Sequence, residues 1–331
     1  MKAGLLDYLV CLLCGGRLIC HADSTRADEV LEGTLECAGC RARFPIRRGV
    51  PRMVPERLAA PEQASSRAFG TQWRMLARLL PGFLTEFRSY LEPLDAADIR
   101  GRAVLDAGCG MGKFSLAAAV CGARIVIGVD LSESVDVAYE HLRDVPNAHV
   151  VQASLYQLPL RSQAFDFVFS IGVLHHTPDP EKAFRGLVDV TAEEGRLFVW
   201  LYALEGNEVF VRWIDPLRAR VFSRLPSWSN RVVATILAVP FWVMIRAMYV
   251  PLGRWGRGSG LPYHEYFLYF SRLGFRTFWG TVYDKLVPPI SFYLTRDEIE
   301  RWLVSANLTA LALRHRNGNS WSCLARRNRP A

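Results

Sequence analysis

Ten consecutive residues, Val104-Leu105-Asp106-Ala107-Gly108-Cys109-Gly110-Met111-Gly112-Lys113, constrain this chain more than any other stretch. An apolar run closes on an acid, three glycines alternate with other residues, and Phe114-Ser115-Leu116-Ala117-Ala118-Ala119 continues as a helix. Strand, glycine turn and helix in that order begin a parallel sheet. Because glycine has no Cβ, such a turn reaches positive φ and lets a ligand approach the backbone, with helix N–H groups behind it.

The alternation continues. Arg124-Ile125-Val126-Ile127-Gly128-Val129 runs into Asp130, and Leu131-Ser132-Glu133-Ser134 leads to a helix that a serine is placed to cap. Asp130 lies twenty residues beyond Gly110, where an acid that holds ribose hydroxyls belongs. A dinucleotide fingerprint, G-x-G-x-x-G, would need its third glycine at Lys113, so the spacing here is instead D-x-G-x-G-x-G. Further on come Val150-Val151-Gln152-Ala153-Ser154 with Leu158-Pro159-Leu160, then Phe165-Asp166-Phe167-Val168-Phe169-Ser170. Val173-Leu174-His175-His176-Thr177-Pro178-Asp179-Pro180 and a fifth strand at Gly195-Arg196-Leu197-Phe198-Val199-Trp200 complete the series.

In that order, residues 101–204 resemble class I S-adenosylmethionine-dependent methyltransferases, in particular the large ubiquinone and menaquinone type. The resemblance implies an α/β fold, a Rossmann-like seven-stranded sheet with helices on both faces, and S-adenosyl-L-methionine as cofactor. It implies that Asp106, Gly108 and Gly110 face the methionine end, with Cys109 and Leu131 among the contacts. Asp130 would hold the ribose, Ser154 and Leu155 would flank the adenine, and Ser170 would sit beside the methionine moiety. Many relatives carry aspartate where this chain has Ser154, and a hydroxyl accepts from the adenine amine without charge assistance.

Five of the eight cysteines precede residue 41. Cys11-Leu12-Leu13-Cys14-Gly15-Gly16 and Cys37-Ala38-Gly39-Cys40 form two C-x-x-C pairs whose glycines free the backbone to aim both thiolates at one ion. Met1 to Asp7 gives no secretory signal, so a cytoplasmic chain is expected, and in a reducing compartment this spacing favours metal over disulfides. Four thiolates make a closed tetrahedral site for a structural Zn²⁺. With Leu5 to Val10 before and Phe44 to Val54 after, the first 55 residues or so resemble the zinc-ribbon proteins that serve as activating subunits of methyltransferases. Those usually have proline after the first cysteine, where Leu12 stands here.

The expected organisation is a zinc ribbon over 1–57, a helical linker or lid over 58–100, the cofactor-binding core over 101–204 and 295–331, and a helical cap over 205–294 inserted between strands five and six. Gln63 to Leu80 places Phe69, Trp73, Leu76 and Leu80 on one helical face, so Trp73 is either core or part of an aromatic lid on the cofactor. Thr295-Arg296-Asp297-Glu298 is a capping box, Asn307 a left-handed stop, and Asn317-Gly318 a turn between two final strands. In the cap, Val232 to Ile245 is an apolar stretch interrupted by Pro240, shorter than the ~20 residues that span a bilayer. It therefore reads as a buried or interfacial helix.

Charge concentrates there, since residues 205–331 hold 18 basic and 8 acidic side chains. Arg212, Arg218, Arg220, Arg224 and Arg231 precede the apolar stretch, Arg254 and Arg257 follow it, and Trp213, Trp228, Trp242 and Trp255 are interleaved. Such a surface suits an anionic amphiphile or a peripheral membrane contact through 205–260; the alternative is a solvated arginine face over a packed cap. Methyl transfer is an in-line displacement, and a hydroxyl or amine acceptor needs a base. His176 and His175, in the loop after the fourth strand, are the first candidates, then Asp284 and Tyr202. The expected acceptor is a small molecule, hydrophobic or lipid-linked. RNA is the second reading, because ribosomal-RNA guanine methyltransferases also join a zinc ribbon to this fold. A non-catalytic scaffold is the third, opposed by the intact Asp106, glycines and Asp130.

Overall fold

The computed structural model describes residues 1–80 and 82–329. Strands β1 (Leu18–Arg26), β2 (Glu29–Cys37), β3 (Arg43–Arg47) and β4 (Val50–Met53) form the ribbon as an antiparallel meander. Helices α1 (Ala60–Met75), α2 (Phe83–Leu91) and α3 (Ala96–Ile99) follow. The alternating unit is β5 (Ala103–Ala107), α4 (Lys113–Val120), β6 (Ile125–Asp130), α5 (Ser134–Leu142), β7 (Ala148–Ala153), β8 (Phe165–Ile171), α6 (Pro180–Val190) and β9 (Thr191–Tyr202). The cap contributes α7 (Asp215–Arg220), α8 (Ser227–Met244), α9 (Val250–Arg254), α10 (His264–Leu273) and α11 (Phe275–Leu286). Helix α12 (Arg296–Ser305), β10 (Leu308–Arg316) and β11 (Ser320–Arg327) close the chain.

Seven strands stand in the order β7-β6-β5-β8-β9-β11-β10, all running the same way except β11, which is antiparallel to both its neighbours, β9 and β10. This is the expected methyltransferase sheet. The order reverses at β5 between β6 and β8, which opens a crevice at the strands' carboxyl ends. Strands β5 to β8 are apolar on both faces because helices cover both.

Local chemistry sets the boundaries. Asp179 accepts from the Lys182 N–H at the start of α6, and Thr295 and Glu298 exchange capping bonds at α12. Asn317 and Gly318 both take positive φ, 52° and 68°, in the three-residue turn, 317–319, joining β10 to β11. Helix α1 starts at Ala60, three residues before the sequence pattern suggested, because Pro61 in the first turn is preset for a helix. The expected serine cap of α5 is instead Glu133 without a side-chain bond; the Ser132 hydroxyl accepts from the Ser134 N–H.

The ribbon does not stand apart. Strand β4 pairs in parallel with β7 through Arg52 beside Gln152 and Met53 beside Ala153, making one eleven-stranded sheet. Leu5, Leu9, Leu35, Ile46 and Met53 are fully buried and belong to the same apolar cluster as Leu105, Val168 and Leu201. The cap instead builds two small clusters apart from the sheet's core, one around Ala234 with Tyr283, against which Ala68 and Met75 of α1 pack, and one around Ala238 with Phe270.

The apolar helix of the cap is longer than its composition indicated. From Ser227 it runs through Pro240, continues through a π-helical turn at Ile245–Tyr249 and ends at Arg254, 28 residues in all, long and apolar enough to cross a membrane. Serine, asparagine and arginine ahead of Val232 are helix-compatible, and the carbonyl that Pro240 leaves unbonded belongs to the solvent-exposed Ile236. Ala234, Ala238, Ile245 and Tyr249 face inward, whereas Val232, Ile236, Val239 and Val243 form an exposed stripe.

Candidate functional site

A cavity of about 330 Å³ lies over the carboxyl ends of the parallel strands. One wall is the glycine loop. Gly108 has φ +88°, and a Cβ there would come within 2.3 Å of Val173; a Cβ on Gly110 would reach within 2.9 Å of the Trp73 indole. The Gly108 and Cys109 N–H groups both donate to the Val129 carbonyl, at 2.7 and 2.9 Å, so the loop is tied to β6. At the end of β6 the two Asp130 oxygens divide their work. Oδ2 accepts from the Gly110 N–H at 2.9 Å, and Oδ1 accepts from the Ser132 N–H and hydroxyl at 2.8 and 2.7 Å. Asp130 still borders the cavity, and a carboxylate has lone pairs beyond those it has spent.

Of the cofactor residues expected from sequence, Trp73, Gly108, Asp130, Leu131, Ser154 and Leu155 line this cavity. Asp106, Cys109, Gly110 and Ser170 do not. Asp106 is turned into the protein, where it accepts from the Ser115 hydroxyl at 2.6 Å and burial pushes its carboxyl up to about 7. It braces the loop from behind. Cys109 is buried against Gly128, and Gly110 lies beneath Trp73. The Ser170 hydroxyl donates to the Ala107 carbonyl at 2.8 Å, joining β8 to β5, and the next three residues, Ile171, Gly172 and Val173, reach the cavity. Alternation puts Ile171, the last residue of β8, on the face opposite Ser170, and Gly172 and Val173 belong to the loop beyond the strand.

Helix α1 forms the facing wall. Glu62, Ser65, Phe69, Gln72, Trp73 and Leu76 recur at three- and four-residue steps and all line the cavity. Only the aromatic and aliphatic part of this stripe was read from the sequence; extending the period to polar residues would have found Glu62 and Gln72. Glu62 accepts from the Ser154 hydroxyl at 2.5 Å.

The far end is made by β9 and the cap: Trp200, Tyr202, Tyr266, Phe270, Asp284 and Lys285, with His176 between the two ends. His176 Nδ1 lies 2.9 Å from the Ile290 carbonyl, which can only accept, so the proton sits on Nδ1 and Nε2 keeps a free lone pair. Burial lowers its pKa to about 4, against the pull of Asp284. Asp284 accepts from Gln72 Nε2 at 2.8 Å and from the Tyr202 hydroxyl at 3.4 Å. Lys285, which sequence reasoning missed, places its ammonium 3.5 Å from the Tyr202 ring centroid, and burial lowers its pKa to about 8. His175 is not part of this group. It is fully buried, stacked on Tyr202 at 3.9 Å between centroids, and held neutral by burial, so it supports the loop and cannot reach an acceptor in the cavity.

In the ribbon the sulfurs of Cys11, Cys14, Cys37 and Cys40 lie within 4.8 Å of one another. Zinc–sulfur bonds of about 2.3 Å would set the sulfurs roughly 3.8 Å apart, so the four fit one tetrahedral ion. The Leu13 and Cys40 N–H groups donate to Cys11 and Cys37 sulfur, which favours thiolates.

Residues 105–199 match the family described as methyltransferase domain, and residues 2–49 match that described as Trm112p-like protein. The chain carries a class I methyltransferase domain. The methyltransferase resembles several solved structures. Magnesium protoporphyrin IX methyltransferase from Synechocystis PCC 6803, with bound S-adenosylhomocysteine, is 17% identical, with a TM-score of 0.47 over 81% of this chain and 98% of that one. The complex between the Haloferax volcanii Trm112 methyltransferase activator and a methyltransferase is 10% identical, with a TM-score of 0.49 over 83% of this chain and 100% of that one.

Proposed function

We propose that this enzyme transfers a methyl group from S-adenosylmethionine to a small hydrophobic or lipid-linked acceptor, which it meets at an anionic membrane surface. The observation that carries the reading is the cavity's two unlike ends: glycine loop and Asp130 at one, aromatic walls from β9 and the cap at the other. Gly108, Asp130, Leu131, Ser154, Leu155 and Trp73 would hold the donor, which supplies an electrophilic methyl on a sulfonium. Trp200, Tyr202, Tyr266 and Phe270 would orient the acceptor and exclude water.

His176 is the proposed base for a hydroxyl or amine acceptor, through Nε2. Asp284 would stabilise the imidazolium that forms, or take the proton itself. The outer stripe of α8, with Trp228 and Trp255 exposed at its ends and arginines flanking it, is the proposed membrane contact. It lies on the opposite side of α8 from the clusters shared with α10 and α11, which wall the acceptor end. A structural Zn²⁺ held by Cys11, Cys14, Cys37 and Cys40 completes the ribbon.

The test is incubation of the enzyme with radiolabelled S-adenosylmethionine and fractionated lysate. Label is expected in the organic-extractable fraction, and label confined to RNA would overturn the acceptor assignment. Alanine at His176 and Asp284 together should abolish turnover with donor affinity intact; unchanged turnover would exclude both as bases.

A further inference from the structure

We propose that Glu62, on α1, is the residue that reads the adenine amine of the donor, in place of a carboxylate at the end of β7. This rests on the cavity being the donor site. Strands β6 and β7 are parallel neighbours, with Asp130 beside Gln152, so the residue two beyond Gln152 follows β7 on the side of Asp130, where a base attached to a ribose held by that acid would lie. The residue at that position is Ser154, which is 2% exposed and has no charge.

Its hydroxyl is already committed. It donates its only proton to Glu62 Oε1 at 2.5 Å and accepts from the Tyr156 N–H at 3.2 Å. The serine thus holds the glutamate in place, and Glu62, Ser154, Leu155 and Tyr156 line the same corner of the cavity. Glu62 Oε2 makes no hydrogen bond among the described residues. Glu62 lies in the first turn of α1, where the helix dipole favours a negative charge. A half-buried carboxylate with one oxygen fixed and one free accepts from an exocyclic amine and repels an exocyclic carbonyl. The carboxylate stands on the wall opposite the sheet, and the amine is read from across the cavity.

The experiment compares S-adenosylhomocysteine with S-inosylhomocysteine, in which oxygen replaces the amine, by calorimetric titration. The wild type should prefer the adenosine compound by on the order of 10- to 100-fold, the range of a hydrogen bond to a charged group. In E62Q the preference should fall to a few-fold, because a carboxamide can donate to the inosine oxygen as well as accept from the amine. The double variant E62Q/S154D, which returns an acid to the strand, should regain it, and E62D should keep its sign. A merely structural Glu62 would weaken both ligands alike and leave their ratio unchanged; that result, or a wild type that does not discriminate, overturns the proposal. Failure of the wild type to bind either compound overturns the donor-site reading itself and this inference with it.

Discussion

The ribbon and the cap are both additions to the seven-stranded sheet, and they are attached in opposite ways. The ribbon joins through main chain, adding β4 to the edge at β7, and its apolar side chains enter the same core as the sheet's. The cap joins through helix packing over the carboxyl ends of the strands and keeps separate clusters. None of the described ribbon residues lines the cavity, whereas α10 and α11 of the cap form much of its far wall. A module that shares the core contributes to the stability of the whole. A module that keeps its own clusters can shape a pocket and leave an apolar face outward at little cost to the rest.

The largest expected effect lies on the ribbon side. Chelation of its metal, or C37S, should lower the melting temperature of the entire chain by about 10 °C or more in scanning calorimetry, because ribbon and sheet unfold as one. A separate low-temperature transition with an unchanged main one would break the comparison. Next comes the site between the modules. G108A forces a Cβ against Val173 at positive φ, and S-adenosylhomocysteine affinity should fall by roughly 100-fold in calorimetric titration, with circular dichroism unchanged.

Acid sharpens the contrast, because each module buries a neutral histidine in its junction with the sheet. His149 lies beside Gly4 and Lys2 at the ribbon, and His176 lies against the cap. Burial holds both at about 4, below the ordinary 6.5. Between those values the unfolded chain binds protons that the folded chain does not, so stability is full above pH 6.5 and declines toward pH 4. From pH 6.5 to 5 the loss should be on the order of 2 kcal/mol per histidine by urea denaturation. H149Q should remove the ribbon's share and H176Q the cap's; a wild-type curve flat over this range would count against both. The smallest stability effect belongs to the outer stripe of α8. Serine at Val232, Ile236 and Val239 should change the melting temperature by no more than a degree or two, yet reduce co-sedimentation with anionic vesicles several-fold. A large drop in melting temperature would mean the stripe is buried after all.

What was legible in the sequence was local chemistry. The glycine spacing after Asp106, the Thr295–Glu298 box and the Asn317-Gly318 turn each specify their structure within a few residues. Direction was harder: Asp106 and Ser170 lie in the expected motifs but turn inward, because a motif fixes position along the chain and not the face a side chain takes. Pairings between distant segments were not legible at all. The β4–β7 contact joins residues about a hundred positions apart, and Glu62 meets Ser154 across ninety-two. No periodicity records such a meeting. The length of α8 was missed because its amino-terminal turns are polar and Pro240 is tolerated beside solvent.

Only residues 54–59 separate the end of β4 from the start of α1. That joint is too short for the ribbon to leave and be replaced by another copy, so its local concentration at the sheet edge is fixed by covalent geometry and not by expression. Every catalytic domain made in the cell therefore comes with its own ribbon.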